Sequence, residues 1–154
     1  DPAYGFSLSI QGHCPLISSL RGLRRLSGAL RGGLWVGDMG KLTTLDGLDG
    51  ISSIGKDGNG HSIGLEGNAN LTSATALSNA NKGTFTSDAL HIDDNAALAC
   101  VPEHWPAKDA GGRTIRNGKA LHDPCLYSCD SATRTCHQAA TGIASESACA
   151  STCH

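Results

Sequence analysis

A nine-residue frame recurs four times in the first hundred residues and limits the possible folds more than any other feature. It reads apolar, any, apolar, two residues, Asn, two residues, Leu, and it is clearest at Ile63, Leu65, Asn68 and Leu71. The copies begin at residues 8, 34, 63 and 90, so successive steps are 26, 29 and 27 residues. A repeat of this length is typical of a solenoid, in which each copy forms one coil.

Each copy opens with apolar residues that alternate with small or polar ones, which predicts a short strand. We expect strands at about 7–11, 34–37, 62–66 and 89–93, paired in one parallel sheet. Three interior columns follow: Leu8, Leu34, Ile63 and Leu90; Ile10, Val36, Leu65 and Ile92; and Leu16, Leu42, Leu71 and Leu98. Burial of each such side chain contributes roughly 1.5–3 kcal/mol before entropy is subtracted.

The Asn position marks the turn after the strand, where an Asn side chain can hydrogen-bond to backbone groups that have no partner in the sheet. Asn68 and Asn95 fit this position, whereas His13 and Met39 do not. The first two coils are therefore predicted to turn differently from the last two.

The return paths of the first two coils align without a gap. In this alignment, Leu20, Leu23 and Leu26 correspond to Leu45, Leu48 and Ile51. Arg21 then corresponds to Asp46, and Arg24 to Asp49. We predict a ladder of ion pairs between the coils. The alternative is two separately solvated faces, and exposed ion pairs contribute only about 0–1 kcal/mol each.

Composition divides the chain into a leucine-rich body and a cysteine-rich tail. Of 17 leucines, 15 lie in residues 1–98, whereas six of the seven cysteines lie at residue 100 or later. We predict a body at 1–100, an irregular capping linker at 101–124 and a disulfide-rich module at 125–154. Trp105 is expected to cover the last coil, with ligand stacking as the alternative.

The repeat resembles the leucine-rich-repeat family, and its irregular steps are closest to receptor L-domains. The segment Leu45-Asp46-Gly47-Leu48-Asp49-Gly50-Ile51-Ser52-Ser53-Ile54-Gly55 and the ending Asn95-x-x-Leu98-x-Cys100 share this resemblance, which covers about residues 4–101. It implies an extracellular right-handed β-solenoid that recognises proteins or peptides. The expected fold is mainly β: a short parallel β-solenoid of about four coils, plus a small disulfide-rich tail with one short helix.

Seven cysteines in so short a chain indicate an oxidising compartment. Zinc is the competing interpretation for Cys125-x3-Cys129 and Cys149-x3-Cys153, whose spacing suits a metal site. With disulfides, Cys129 and Cys136 on a hairpin-like segment would pair with Cys149 and Cys153 on a short helix capped by Ser145, in an order that stays open. Cys100 and Cys125 would then join body and tail, which leaves Cys14 unpaired or bonded to another chain. The segment 127–153 resembles small cysteine-rich modules of secreted proteins.

Motifs that carry chemistry are few. Gly60-His61-Ser62-Ile63-Gly64 matches a nucleophile elbow, but a predicted strand follows Ser62 where the elbow requires a helix. Asp57-Gly58-Asn59-Gly60 begins like a calcium loop, yet the Gly and Glu that an EF-hand requires are absent, so an insertion turn is preferred. We predict no catalytic, metal or cofactor-binding residues. Asn70-Leu71-Thr72 is a sequon, so Asn70 is a candidate N-glycosylation site.

The leading functional hypothesis is a non-enzymatic, extracellular building block of a cell-surface, matrix or filament assembly. The first coil carries the candidate interface of Leu8, Ile10 and Leu16, and is expected to be exposed unless a partner or a second copy covers it. The alternative is an ectodomain that binds a peptide or glycan on the outward sheet face, where Trp35 is the one evident anchor.

The net charge of −2 does not indicate the basic surface typical of nucleic-acid-binding proteins. No apolar run approaches the roughly 18 residues of a membrane span. The start at Asp1 suggests a processed chain or part of a longer one.

Overall fold

The computed structural model describes residues 4–12, 16–82, 85–102, 104–106 and 110–111, together with the backbone of two strands at 126–130 and 135–139. The chain divides into two compact units, Asp1–Gly118 and Lys119–His154. The predicted linker at 101–124 and its boundaries stay a prediction, because most residues between 103 and 125 lie outside the described part.

Parallel strands form most of the regular structure of the first unit. Strands β1 (Phe6–Gln11), β3 (Gly33–Gly37), β5 (Ile63–Glu66) and β6 (Leu90–Asp93) form one parallel sheet in the order β1-β3-β5-β6. All four lie within about a residue of their predicted positions. The described helical segments of this unit are short 3-10 turns at Arg21–Leu23, Thr75–Leu77 and Ser87–Ala89. The mainly β fold class is therefore confirmed.

The register confirms two of the predicted interior columns. Leu8, Leu34, Ile63 and Leu90 lie level with one another across the sheet, as do Ile10, Val36, Leu65 and Ile92. In both columns the members on β3, β5 and β6 are buried, whereas Leu8 and Ile10 on the edge strand are partly buried and pack against the same core. Alternation along each strand therefore fixes which side chains face outward.

The turns after the strands are more alike than the sequence predicts. The first residue after each of the four strands has a positive φ: Gly12, Asp38, Gly67 and Asp94. The second coil thus uses the same left-handed turn as the later coils, although Met39 replaces the Asn. The prediction that this coil turns differently is wrong, because Asn68 of the next coil supplies the missing acceptor and receives the N–H of Met39 at 3.1 Å.

The third column needs a correction at Leu16, which is 92% exposed while Leu42, Leu71 and Leu98 are buried. Backbone hydrogen bonds run from Thr43 N–H to Ser18 O and from Thr72 N–H to Thr43 O. Ser18 is therefore level with Thr43, and the residue level with Leu42 is Ile17. The first coil reaches this point one residue later than the frame predicts.

A second parallel pair on the return path was not predicted. Strand β2 (Gly28–Leu30) pairs with β4 (Ile51–Ile54). Nearby, the predicted ion-pair ladder has one rung, in which Arg21 Nη2 lies 3.3 Å from Asp46 Oδ2. The second rung is not formed among the described residues, because Asp49 Oδ2 instead accepts the N–H of Gly47 at 2.8 Å.

The second unit contains an antiparallel pair, β7 (Leu126–Asp130) and β8 (Thr135–Ala139). This pairing agrees with the predicted hairpin-like segment, and its register places Cys129 opposite Cys136. The helix predicted after Ser145 lies outside the described residues.

Candidate functional site

The outward face of the four-stranded sheet is the most distinctive surface of the described chain. Its positions are Ser9 and Gln11 on β1, Trp35 and Gly37 on β3, Gly64 and Glu66 on β5, and His91 and Asp93 on β6. Apart from Trp35, this sequence suggests a flat surface of small and acidic residues. The structure shows instead that rings cover a large part of it.

Trp35 lies against the sheet because glycines leave room for its indole. A Cβ on Gly64, the neighbour of Trp35 on β5, would collide with the six-membered ring of the indole. A Cβ on Gly37 would lie 2.7 Å from the indole Nε1. The indole of Trp35 therefore occupies the space that side chains at these two positions would fill.

Five rings form a continuous row, which we call the aromatic strip: Tyr4, Phe6, Trp35, His91 and His61. Successive centroids are 6.3, 5.6, 5.7 and 5.5 Å apart. The planes of Trp35 and His91 differ by only 22°. Aromatic pairs at such separations attract one another beyond the area that they bury, so the rings support one another in this arrangement.

A rigid loop holds the His61 end of the strip. The buried carboxylate of Asp57 accepts the N–H groups of Asn59 and His61, each at 2.8 Å, through Oδ1. Its Oδ2 lies 3.7 Å from His61 Nδ1. The insertion at 57–61 is thus an Asx-type turn, as preferred over a calcium loop, and it places a ring on the sheet face.

Carboxylates border the strip at the carboxyl ends of the strands. Glu66 Oε2 lies 3.4 Å from His91 Nε2, and the Glu66 side chain is 47% exposed. Asp38 and Asp94, the first residues after β3 and β6, are exposed. Within the described part of the chain, Glu66, Asp38 and Asp94 form no ion pair with a lysine or arginine. This edge of the face is therefore negatively charged.

Sequence reasoning missed three of the five rings. Strand alternation counts Phe6 as inward because Leu8 is inward, but the register shifts between Phe6 and Leu8. A bulge of this kind re-aims a side chain. Tyr4 and His61 precede strands, so strand alternation does not assign them to a face. The pairing of Trp35 with Gly64 in one outward column was the available signal for a ring lying on the sheet.

Trp105 belongs to the core. It is 6% exposed and contacts Phe85 edge-on at a centroid distance of 6.0 Å. His104 stacks on the same Phe85, and its Nε2 lies 3.0 Å from Ala80 O. A tryptophan buried in this way has no free face for a ligand, which favours the packing role over ligand stacking.

Ser62 does not stand in the context of a nucleophile elbow. It is 4% exposed, and β5 begins at the next residue. Its N–H donates to Ala89 O and its carbonyl accepts the N–H of Leu34, so its backbone belongs to the sheet ladder. Among the described residues, no group of three His, Cys, Asp or Glu side chains is arranged to hold a metal ion. The described helices also include none with the length and apolarity to cross a membrane.

Of the remaining candidate residues, the structure describes Cys100 and Asn70. Cys100 is disulfide-bonded, and its partner is not among the residues whose side chains are described. Asn70 is exposed, and its Nδ2 donates to Gly40 O at 2.6 Å. Cys14, Cys125, Cys149 and Cys153 lie outside the described residues, as do the side chains of Cys129 and Cys136. The disulfide, zinc and glycosylation assignments at these positions stay predictions.

Of the predicted interface, the structure brings one residue into the aromatic strip, Trp35. Leu8 and Ile10 lie on the interior side of the sheet, whereas Leu16 is exposed in the first coil. Comparisons of the chain with protein-family models, with curated proteins and with solved structures found no match.

Proposed function

We propose that this protein is a non-enzymatic interaction module that binds a partner in an extracellular setting through the outward face of its sheet. The single observation that carries this proposal is the aromatic strip. It places five rings side by side on a face that the amino-acid pattern alone describes as small and acidic.

The strip has the properties of a binding surface. Tyr4 is 59% exposed, and the other four rings are partly exposed. A tryptophan fixed in place loses little conformational freedom on binding, and aromatic side chains dominate the energy of many interfaces. A ring that rests on two glycines is held in place before a partner binds, so binding loses little conformational entropy of this side chain.

The proposal includes a short β-solenoid that resembles the leucine-rich-repeat fold of receptor L-domains. Support comes from four strands at steps of 26–29 residues, from their parallel pairing in chain order and from the repeated left-handed turn. A parallel bridge also links Thr44 with Ser73, and another links Ser73 with Cys100, on the path after the turn. Successive coils therefore contact one another at several levels.

An extracellular setting is proposed because of the cysteines. Disulfides persist in oxidising compartments and are rare in the cytosol, and Cys100 is disulfide-bonded. The sequon at Asn70 lies in an exposed turn, and Asn70 Nδ2, the atom to which an N-glycan attaches, donates to Gly40 O at 2.6 Å.

The test is a binding screen on arrayed glycans and peptides. The protein and its Trp35→Ala variant are applied in parallel, with Lys82→Ala as a control for an exposed side chain away from the strip. We expect at least one class of probe to retain the protein and the control but not Trp35→Ala. Equal retention of all three proteins, with unchanged circular dichroism, would rule out the strip as the binding surface.

Self-association through the first coil is a second candidate function. The exposed large apolar residues of the described chain, Tyr4, Leu16 and Ile17, all belong to this coil. A contact between this coil and a different surface of a second copy would build rings or filaments. Sedimentation velocity should show concentration-dependent oligomers that the double variant Leu16→Ser, Ile17→Ser does not form. A chain that stays monomeric over a wide range of concentration contradicts this candidate.

A further inference from the structure

We infer that the aromatic strip recognises a cationic side chain, and that the partner is a basic protein segment with exposed arginine or lysine. This inference rests on the proposed function and specifies the chemistry of the partner. The inference is drawn from the indole of Trp35, which lies along the sheet, and from the row of carboxylates near it.

The indole supplies the first half of the recognition. Trp35 rests against Gly37 and Gly64, so its ring is held along the sheet rather than upright. The face of an indole attracts an ammonium or guanidinium group through its quadrupole, and tryptophan is the strongest of the aromatic residues in this respect. Phe6 and His91 flank the ring at centroid distances of 5.6 and 5.7 Å.

The carboxylates supply the second half. Glu66 is the register partner of Gly37, above which the indole Nε1 lies, and its carboxylate is 3.4 Å from Nε2 of His91, the ring next to the indole. Asp93 continues this outward row, and Asp38 and Asp94 extend the negative edge beyond the strand ends. A guanidinium stacked on the indole would present N–H donors to Glu66 in its own plane.

The outward row carries no fixed positive charge, although its His91 Nε2 lies 3.4 Å from Glu66 Oε2. None of the eight outward positions of the sheet is a lysine or arginine. The acidic side chains among these positions are Glu66 and Asp93, so complementarity of charge favours a basic partner and steers its approach. A neutral sugar can stack on the rings and donate its hydroxyls to the carboxylates, but its binding would not depend on salt as that of a cation does. An acidic partner would be repelled.

The experiment titrates the full chain with a hexa-arginine peptide by calorimetry, with a hexa-glutamate peptide and a neutral hexasaccharide as comparison probes. We expect hexa-arginine to bind, hexa-glutamate not to bind, and the affinity to fall as salt is raised from about 0.05 M to about 0.5 M. Trp35→Ala should weaken the binding about tenfold. Glu66→Gln should weaken it up to about fivefold.

The control is Asp49→Asn, which removes an exposed negative charge on the return path of the second coil. Asp49 is exposed, and its Oδ2 accepts the N–H of Gly47 at 2.8 Å, a role that the amide oxygen of asparagine can keep. This variant should bind hexa-arginine as the unmodified chain does. Thermal unfolding of each variant shows that it is folded, and Glu66→Gln, at an exposed position, keeps the test valid if Trp35→Ala does not fold.

Four outcomes overturn the inference. The first is no binding of hexa-arginine, and the second is equal losses for Glu66→Gln and Asp49→Asn. A third is salt-independent binding of the hexasaccharide that Trp35→Ala abolishes, which would leave the proposed function standing and remove its cationic partner. The fourth is self-association that Glu66→Gln abolishes, which would replace the separate partner with the arginines of a second copy.

Discussion

Gly64 shows how one missing Cβ shapes the candidate site. Its backbone φ lies outside the left-handed region, so the position does not need glycine for its conformation. It needs glycine because the indole of Trp35 occupies the space of a side chain. The small residues of the outward face thus belong to the aromatic strip, although none of them has a ring.

Gly64→Ala should displace the Trp35 ring while every aromatic residue remains in the chain. The added methyl group overlaps the indole, and Trp35 must turn away from the sheet. Overpacking of this kind costs about 1–3 kcal/mol. The measurements are the indole N–H resonance of Trp35, which should move, and binding of any probe that Trp35→Ala abolishes, which should fall in parallel.

Gly22→Ala is the matched control, because a Cβ there meets no atom within 4 Å. It should leave both the Trp35 resonance and the binding unchanged. If Gly64→Ala also leaves them unchanged, the ring does not rest on Gly64 in solution, and the rigid strip on which the proposed function depends is not present.

At the scale of the element, buried asparagines join the turns of successive coils. The Asn68 Nδ2 group donates to Val36 O at 2.9 Å and to Asn95 Oδ1 at 3.0 Å. Asn95 Nδ2 in turn donates to Leu65 O at 2.8 Å. Both asparagines are fully buried, and each bonds the backbone of the preceding coil. The turn of one coil is therefore completed by a side chain of the next.

Asn68→Ala should destabilise the protein by about 2–4 kcal/mol. The substitution leaves the Met39 N–H and the Val36 carbonyl without this partner, and each orphaned buried group costs about 1–3 kcal/mol. Urea unfolding followed by circular dichroism measures the change. Asn79→Ala is the control, because its exposed amide makes a longer 3.4 Å bond to Asp49 O. A loss no larger than that of this control would show that the asparagine contacts between coils contribute little.

The sequence predicts the strands and the interior columns of β3, β5 and β6 because alternation and the repeat agree there. It fails in the first coil, where an extra residue before Ile17 moves Leu16 out of the interior column. It also fails for the aromatic strip. Phe6 reaches the outward face through a bulge in its pairing with the distant strand β3. His61 reaches it through the local Asp57 turn, which strand alternation does not describe.

At the scale of the whole molecule, charge is unevenly distributed along the chain. Residues 4–37 contain four arginines and no acidic residue, whereas residues 38–99 contain eight acidic residues and three lysines. Of these arginines, Arg21 is paired with Asp46. A separation of this kind steers association with other charged surfaces, so both candidate modes of interaction should weaken as salt rises. Salt dependence alone therefore does not distinguish them, and the Glu66 and Leu16 variants are needed.

The odd number of cysteines leads to a prediction about which cysteine is not in an intrachain disulfide. Seven cysteines cannot all pair within one chain, and Cys100 is already disulfide-bonded. If the tail cysteines pair as the sequence suggests, alkylation of the denatured, unreduced protein followed by peptide mass mapping should label one residue, Cys14.

If Cys14 joins two chains instead, a dimer should appear on a non-reducing gel and disappear with Cys14→Ser. Labelling of Cys125, Cys129, Cys149 and Cys153 together in the denatured, unreduced protein would contradict the disulfides. If a chelator also exposes them to alkylation in the native protein, the zinc interpretation is favoured. Labelling of Cys100 would contradict the bond on which the extracellular assignment partly rests.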